Sequence, residues 1–120
     1  MVQDNYIDNV RDKRLFKRGS KKHSVTISDL TASATKLYGF EEDSTLKKYL
    51  PLNFLRIVNK GGTDLKVYIN QSSDGEIILD DTIYTFNGNF YSFILENTDG
   101  STTATGSNVY CTVQRQPTGG

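Results

Sequence analysis

The second half of the chain, residues 54–114, consists of short segments in which apolar and polar residues alternate, separated by turn-forming residues. Residues 64–70 show this most clearly, because Leu65, Val67 and Ile69 fall on one face and the polar residues between them fall on the other. A period of two is typical of a β-strand that buries one face. The pattern therefore predicts antiparallel β-structure for this half of the chain.

The same pattern, with turn signals between its segments, extends over most of the chain. The segments predicted as strands are residues 24–28, 34–40, 53–59, 64–70, 76–79, 82–86, 90–96 and 108–114. The glycine-bearing loop at residues 60–63 predicts a hairpin between its two flanking strands. Seven or eight short strands indicate an all-β chain that forms a single antiparallel β-sandwich, with either jelly-roll or immunoglobulin-like connections.

Charge divides the chain into two parts although its net charge is zero. Residues 1–23 hold seven basic and three acidic residues, a net charge of +4, and the rest carries −4. We therefore predict a basic N-terminal arm over residues 1–23, a sandwich domain over residues 24–114 and a tail over residues 115–120. Within the arm, residues 4–17 could form a short helix or an extended segment.

Two interpretations of the arm remain open: a solvated flexible terminus, or an extension that orders on a neighbouring subunit or an anionic surface. Nucleic acid is one such surface, but it is less favoured because the arm has only Phe16 as an aromatic for stacking on bases. The residues predicted to bind a partner are Arg11, Lys13, Arg14, Phe16, Lys17, Arg18, Lys21 and Lys22.

The chain offers little catalytic chemistry. Its single cysteine, Cys111, alternates with Val109 and Val113, which predicts a buried position in the core, and its single histidine, His23, lies far away in a polar basic stretch. The acidic residues near two turns suggest a Ca²⁺ site or a glycosidase-like acid pair only weakly, because acids at turns usually cap them. We therefore predict no enzymatic activity, no metal and no cofactor.

Tyrosines in the strands form the other candidate surface. Tyr68, Tyr84 and Tyr110 could face outward and bind a sugar or a protein, and the alternative is ordinary packing between strands.

The order of the central segments resembles that of small β-sandwich accessory proteins of virus and phage particles, such as decoration, cement, spike and neck proteins. The similarity lies in residues 55–59, residues 64–70, a polar turn, and the short apolar segments at residues 77–79 and 84–86. This resemblance implies a structural protein of the particle, without catalytic residues.

Two functions follow from these observations. The first is a structural virion component, a minor capsid, decoration, vertex or neck protein, that forms homo-oligomers and binds other virion proteins through its sandwich and its arm. The second is a carbohydrate- or protein-binding sandwich module. The sequence has no apolar run of the roughly 20 residues that span a bilayer, and no secretory signal, so we expect synthesis in the host cytoplasm and a place in the virion.

Overall fold

The computed structural model describes residues 19–117, which form an all-β structure. Its strands are β1 (His23–Val25), β2 (Thr35–Gly39), β3 (Phe54–Asn59), β4 (Leu65–Ile69), β5 (Glu76–Ile78), β6 (Thr82–Phe86), β7 (Ser92–Asn97) and β8 (Val109–Gln114). Two short 3-10 helices, Lys47–Tyr49 and Gly106–Asn108, lie in the connections.

The strands form two antiparallel four-stranded sheets, with the orders β1-β8-β3-β6 and β2-β7-β4-β5. Only β4 and β5 follow each other along the chain within one sheet, and every other connection crosses between the sheets. This is the eight-stranded jelly-roll arrangement. The predicted antiparallel sandwich is confirmed, and of the two connection patterns that the sequence left open the chain adopts the jelly roll.

The predicted alternation places apolar side chains between the sheets. In β4, Leu65 and Val67 are buried as the period of two requires. Tyr38 of β2 stacks on Phe93 of β7 with ring centroids 5.2 Å apart, a geometry that adds to the burial of both rings. The side chains that fill the centre of the sandwich with no measurable exposure are Leu52, Leu55, Ile57, Leu65, Phe90, Phe93, Leu95 and Val113.

The predicted hairpin at residues 60–63 is wrong. β3 pairs with β6 and β8, whereas β4 pairs with β5 and β7, so this loop crosses from one sheet to the other. The buried side chain of Asn59 explains the crossing. Its Nδ2 donates to the carbonyl oxygens of Thr63 (2.9 Å) and Ile78 (3.1 Å), and its Oδ1 accepts from the Gly61 N–H (3.2 Å). Three bonds from one side chain hold the loop across the end of the sandwich.

One end of the sandwich is acidic. The four loops at residues 26–34, 60–64, 79–81 and 98–108 meet at one end, where main-chain bonds such as Leu30 N–H to Ala104 O (3.0 Å) join them. Together these loops carry five aspartates and one lysine.

The chain enters the sandwich at the opposite end. There Ser20 N–H donates to Arg115 O at 2.7 Å, and the Arg115 N–H donates to Ser20 Oγ at 2.8 Å. Gly19 has a φ of +71°, and a side chain there would collide with the Arg115 main chain. The start of the described chain is therefore fixed beside the end of β8, and we call these two hydrogen bonds between Ser20 and Arg115 the Ser20 anchor.

Candidate interaction surface

Three exposed aliphatic side chains lie at one edge of the sandwich. Ile77 of β5 is on the outer face of the second sheet, Leu79 is in the connection that follows β5, and Ile83 of β6 is on the outer face of the first sheet. Ile77 is 61% exposed, Leu79 is 56% exposed and Ile83 is 57% exposed. β5 and β6 are the terminal strands of their sheets, and they contact each other across the gap between the sheets. We call Ile77, Leu79 and Ile83 the edge patch.

From Ile83 an apolar row continues across the outer face of the first sheet. Register places Ile83 of β6 opposite Val58 of β3, and Val58 opposite Tyr110 of β8. Tyr110 is 59% exposed, and Val58 is half-buried between the two. An apolar row therefore runs from the β6 edge across two further strands.

A second exposed apolar pair lies on the other sheet. Leu37 of β2 and Tyr91 line an open depression with Glu41, Glu42 and Gln71. Polar and charged side chains interrupt this surface, so it is less continuous than the row that begins at the edge patch.

The structure separates the three predicted surface tyrosines. Tyr110 faces outward on the first sheet, whereas Tyr68 lies on the outer face of the second sheet, opposite Ile94. The Tyr68 hydroxyl donates to Glu96 Oε1 at 2.7 Å, and this hydrogen bond is the main cause of the raised pKa of Tyr68. Tyr68 is thus a partner within its own sheet, on the side of the sandwich opposite to Tyr110.

The prediction that Tyr84 faces outward is wrong. Tyr84 lies opposite Ile57, a fully buried residue of the inner face, and it packs half-buried against the core. Burial raises the pKa of Tyr84, and the negative charge of Glu76 raises it further. The reason for the error is parity: in β6 the outward positions are Ile83 and Thr85.

Six of the predicted arm residues lie outside the described residues, together with the helix-or-extended alternative for residues 4–17. They are Arg11, Lys13, Arg14, Phe16, Lys17 and Arg18. The last two, Lys21 and Lys22, are exposed between the Ser20 anchor and β1. Their side chains are accessible to a partner.

The aspartates at the acidic end cap the loops. Asp29 Oδ1 accepts from the Gly106 N–H at 2.7 Å, and Asp64 Oδ1 accepts from the Asp80 N–H at 2.8 Å. Asp99 accepts main-chain N–H bonds from Ser101 and Thr102, which lower its pKa. Within residues 19–117 no group of three or more histidine, cysteine or acidic side chains could hold a metal ion.

The expectation of a buried Cys111 is confirmed, and the expectation that His23 lies far from it is wrong. Cys111 is 3% exposed and opposite Val25, while His23 begins the same strand β1 two residues earlier. Burial raises the pKa of the Cys111 thiol to about 12, so the thiol stays protonated at neutral pH.

The edge patch was not anticipated from the sequence, although residues 77, 79 and 83 all fell in predicted strands. One feature of the sequence could have indicated an exposed edge: β6 has the sequence Thr-Ile-Tyr-Thr-Phe, without a charged residue, proline or glycine. Uncharged strands that end a sheet are uncommon unless something covers them.

Comparisons with known proteins show a weak structural likeness and no family. No protein-family model matches the sequence, and no curated protein does. The crystal structure of tomato aspermy virus is similar at a TM-score of 0.49 and 8% identity, covering 95% of this chain and 93% of that one. The cupin domain of Cnp3 from Schizosaccharomyces pombe is similar at a TM-score of 0.38 and 10% identity, and the match covers 78% of this chain and 48% of that one. Both TM-scores are below 0.5, so neither likeness bears on function.

Within the part of the chain from residue 19 to residue 117, no helix is long and apolar enough to cross a membrane.

Proposed function

We propose that this protein is a structural component of a virus particle, a minor capsid, decoration, vertex or neck protein without catalytic activity. It is made in the host cytoplasm and binds neighbouring virion subunits through its sandwich and its N-terminal arm. The observation that carries the proposal is the exposed apolar row that runs from Ile83 across Val58 to Tyr110 on the outer face of the first sheet.

The size of the exposed apolar surface supports an interface. Burying an aliphatic side chain of this kind removes on the order of 100 Å² from water, which at about 25 cal/mol per Å² stabilises a complex by about 2 kcal/mol. Ile83 and Tyr110, which share the outer face of the first sheet with Val58, therefore offer a few kcal/mol to a partner that covers them. The largest apolar patch on a monomeric domain typically covers a few hundred Å² and is often functional.

The interior supports the same choice among the known uses of this architecture. Jelly rolls serve as capsid domains, as lectins and as cupins. Here Leu55, Ile57, Phe93 and Leu95 fill the centre of the space between the sheets. We therefore place the function on the outside of the sandwich, where the apolar row is exposed.

The charge distribution supports a role for the arm. Residues 1–18 hold five of the seven basic residues of the arm. The Ser20 anchor fixes residue 20 at the end of the sandwich opposite the acidic loops. A basic arm that joins the sandwich at one end can attract the acidic loops at the other end of a neighbouring copy. Such contacts weaken with salt, and many of them together hold a subunit in place.

The test is particle incorporation of arm variants in virus-producing cells. We expect deletion of residues 1–18, which keeps the Ser20 anchor, to leave a folded domain that no longer co-sediments with particles. The matched control exchanges the positions of Lys13 and Asp12, which preserves length and charge, and we expect normal incorporation. Unchanged incorporation of the deletion variant would contradict the role of the arm.

The alternative, a carbohydrate- or protein-binding module, has less support. Tyr68, Tyr84 and Tyr110 lie on three different surfaces, so they do not form the aromatic platform that the alternative requires. Binding of the purified chain to a glycan array would favour the alternative over the particle role.

A further inference from the structure

β6 differs from the other strands that end a sheet. Each of the other three carries a feature that discourages further pairing. β1 and β5 have three residues each. β2 contains Lys36, which lies on the inner-facing side of the sheet opposite Leu95, and its Nζ donates to Ser28 Oγ at 2.6 Å.

β6 lacks such features. It has five residues, all β-branched or aromatic, and it pairs with β3 on one side only. Its residues Thr82, Ile83 and Thr85 are exposed. A strand of this kind presents unpaired main-chain N–H and C=O groups together with an apolar side chain, which is the template for another strand.

We propose that β6 pairs antiparallel with β6 of a second copy of this chain, about a two-fold axis through Tyr84. Ile83 then lies opposite Thr85 of the second copy, and Thr82 lies opposite Phe86. The two four-stranded sheets become one continuous sheet of eight strands, and the two Ile83 side chains lie beside the axis on its outer face. This inference rests on the proposed function only in treating the edge patch as an interface.

The distribution of charge permits a second copy as the occupant of the β6 edge and opposes one at the β5 edge. β6 has no charged residue of its own, and in the register about Tyr84 the Asp81 that precedes the strand lies opposite the neutral Asn87. The same two-fold pairing about Ile77 of β5 would bring Asp74 opposite Asp80, two like charges. Self-pairing is therefore compatible with β6 and opposed by charge at β5.

The contact area sets the expected strength. Five paired residues with their side chains cover less than the roughly 800 Å² per partner of a typical stable complex. We therefore expect a dimer in solution that dissociates on dilution. In a particle, where other contacts hold the copies close together, the same pairing becomes effective through high local concentration.

A charge-swap experiment tests both the partner and the register. One variant of the full chain carries Ile83→Lys and Thr85→Lys, and a second carries Ile83→Glu and Thr85→Glu. In the proposed register position 83 faces position 85 of the other copy, so each variant alone opposes like charges twice. We expect each alone to dimerise at least about tenfold more weakly than the natural chain in sedimentation velocity, which is a change of about 1.4 kcal/mol.

Mixing the two variants restores opposite charges at both positions, so we expect a heterodimer of at least the natural affinity. Leu37→Lys, an exposed position on β2 far from this edge, is the matched control and should leave dimerisation unchanged. Circular dichroism and thermal unfolding of each variant establish that it is folded.

Three results would overturn the inference: a natural chain that stays monomeric up to millimolar concentration, a mixture that fails to recover the dimer, or a Leu37→Lys control that weakens the dimer equally. None of these results concerns particle incorporation. Failure of self-pairing is thereby distinguishable from failure of the particle role.

Discussion

Replacing Asn97 by alanine should destabilise the fold far more than its polar character suggests. Asn97 ends β7 with no exposed surface. Its Nδ2 lies 2.7 Å from Thr102 O, 3.0 Å from Leu30 O and 3.2 Å from Thr31 O, and its Oδ1 accepts the Asp99 N–H at 3.1 Å. One side chain thus ties the loops at residues 26–34 and 98–108 to the end of the second sheet.

The magnitude follows from the bonds that would be lost. An amide has two N–H donors, so the three carbonyl oxygens share two full hydrogen bonds, and the Asp99 N–H supplies a third. Each is worth about 1 kcal/mol net, and each buried group left without a partner costs about 1–3 kcal/mol. Because water can reach part of this end after the loops relax, we expect a loss of about 3–4 kcal/mol, a large part of the 5–15 kcal/mol that holds a domain of this size.

The assay is equilibrium unfolding in urea, with Asn53→Ala as the matched control. Asn53 also makes two side-chain bonds, to the main chain of Gln116 at 2.6 and 3.2 Å, but at an exposed site where water replaces them. We expect the free energy of unfolding of the control to fall by about 1 kcal/mol or less. In both variants the slope of the free energy of unfolding against urea concentration should stay unchanged. Equal losses for Asn97→Ala and Asn53→Ala would refute the reasoning that burial makes the Asn97 bonds important.

Three smaller predictions concern other residues. Gly106→Ala should lower the midpoint of thermal unfolding strongly, because a Cβ there would collide with the main chain of Ile27 and Ser28. Gly62→Ala has open space around the new Cβ, and at φ +95° it should cost only about 1 kcal/mol of backbone strain. Similar unfolding midpoints for the two variants would contradict this difference. The Cys111 thiol, with its pKa raised to about 12, should not react with a disulfide reagent at pH 8 until the chain unfolds, and fast labelling of the folded chain would argue against its burial. The pKa of Asp99 is lowered in the folded chain, so the ionised side chain stabilises the fold above its unfolded-state pKa, and this stabilisation is lost as the pH falls through the folded-state pKa. In Asp99→Asn the midpoint of thermal unfolding should therefore fall less steeply below about pH 4 than in the natural chain. An equally steep fall in both proteins would contradict this role.

The sequence predicted the sheets better than their connections. Alternation in residues 64–70 and 108–114 correctly indicated which side chains point inward, because the period of two is a property of each strand alone. The loop at residues 60–63 looked like a hairpin because its glycines suit a tight turn. What directs it to the other sheet is the Asn59 side chain and its partners at Thr63 and Ile78, and the bond to Ile78 joins residues 19 positions apart. Local pattern carries no information about such a contact.

The candidate surface was only partly visible in the sequence for a related reason. Tyr110 faces outward as expected, whereas Tyr84 was also expected to face outward and faces inward. A shift of one residue in the assumed face of a strand exchanges inward and outward positions. The edge patch depends on β5 and β6 being the last strands of their sheets, and that position is a property of the whole topology. A strand without charge was the one local sign of it.

Mass spectrometry of purified particles tests the central claim most directly. Particles from cells that produce this chain would be separated on a density gradient, treated with nuclease and washed in high salt before their proteins are identified. The proposed structural role predicts that the intact chain is found in the particle fraction at a fixed ratio to the main capsid protein. Recovery of the chain only from the fractions without particles would contradict the claim that it is built into a virion.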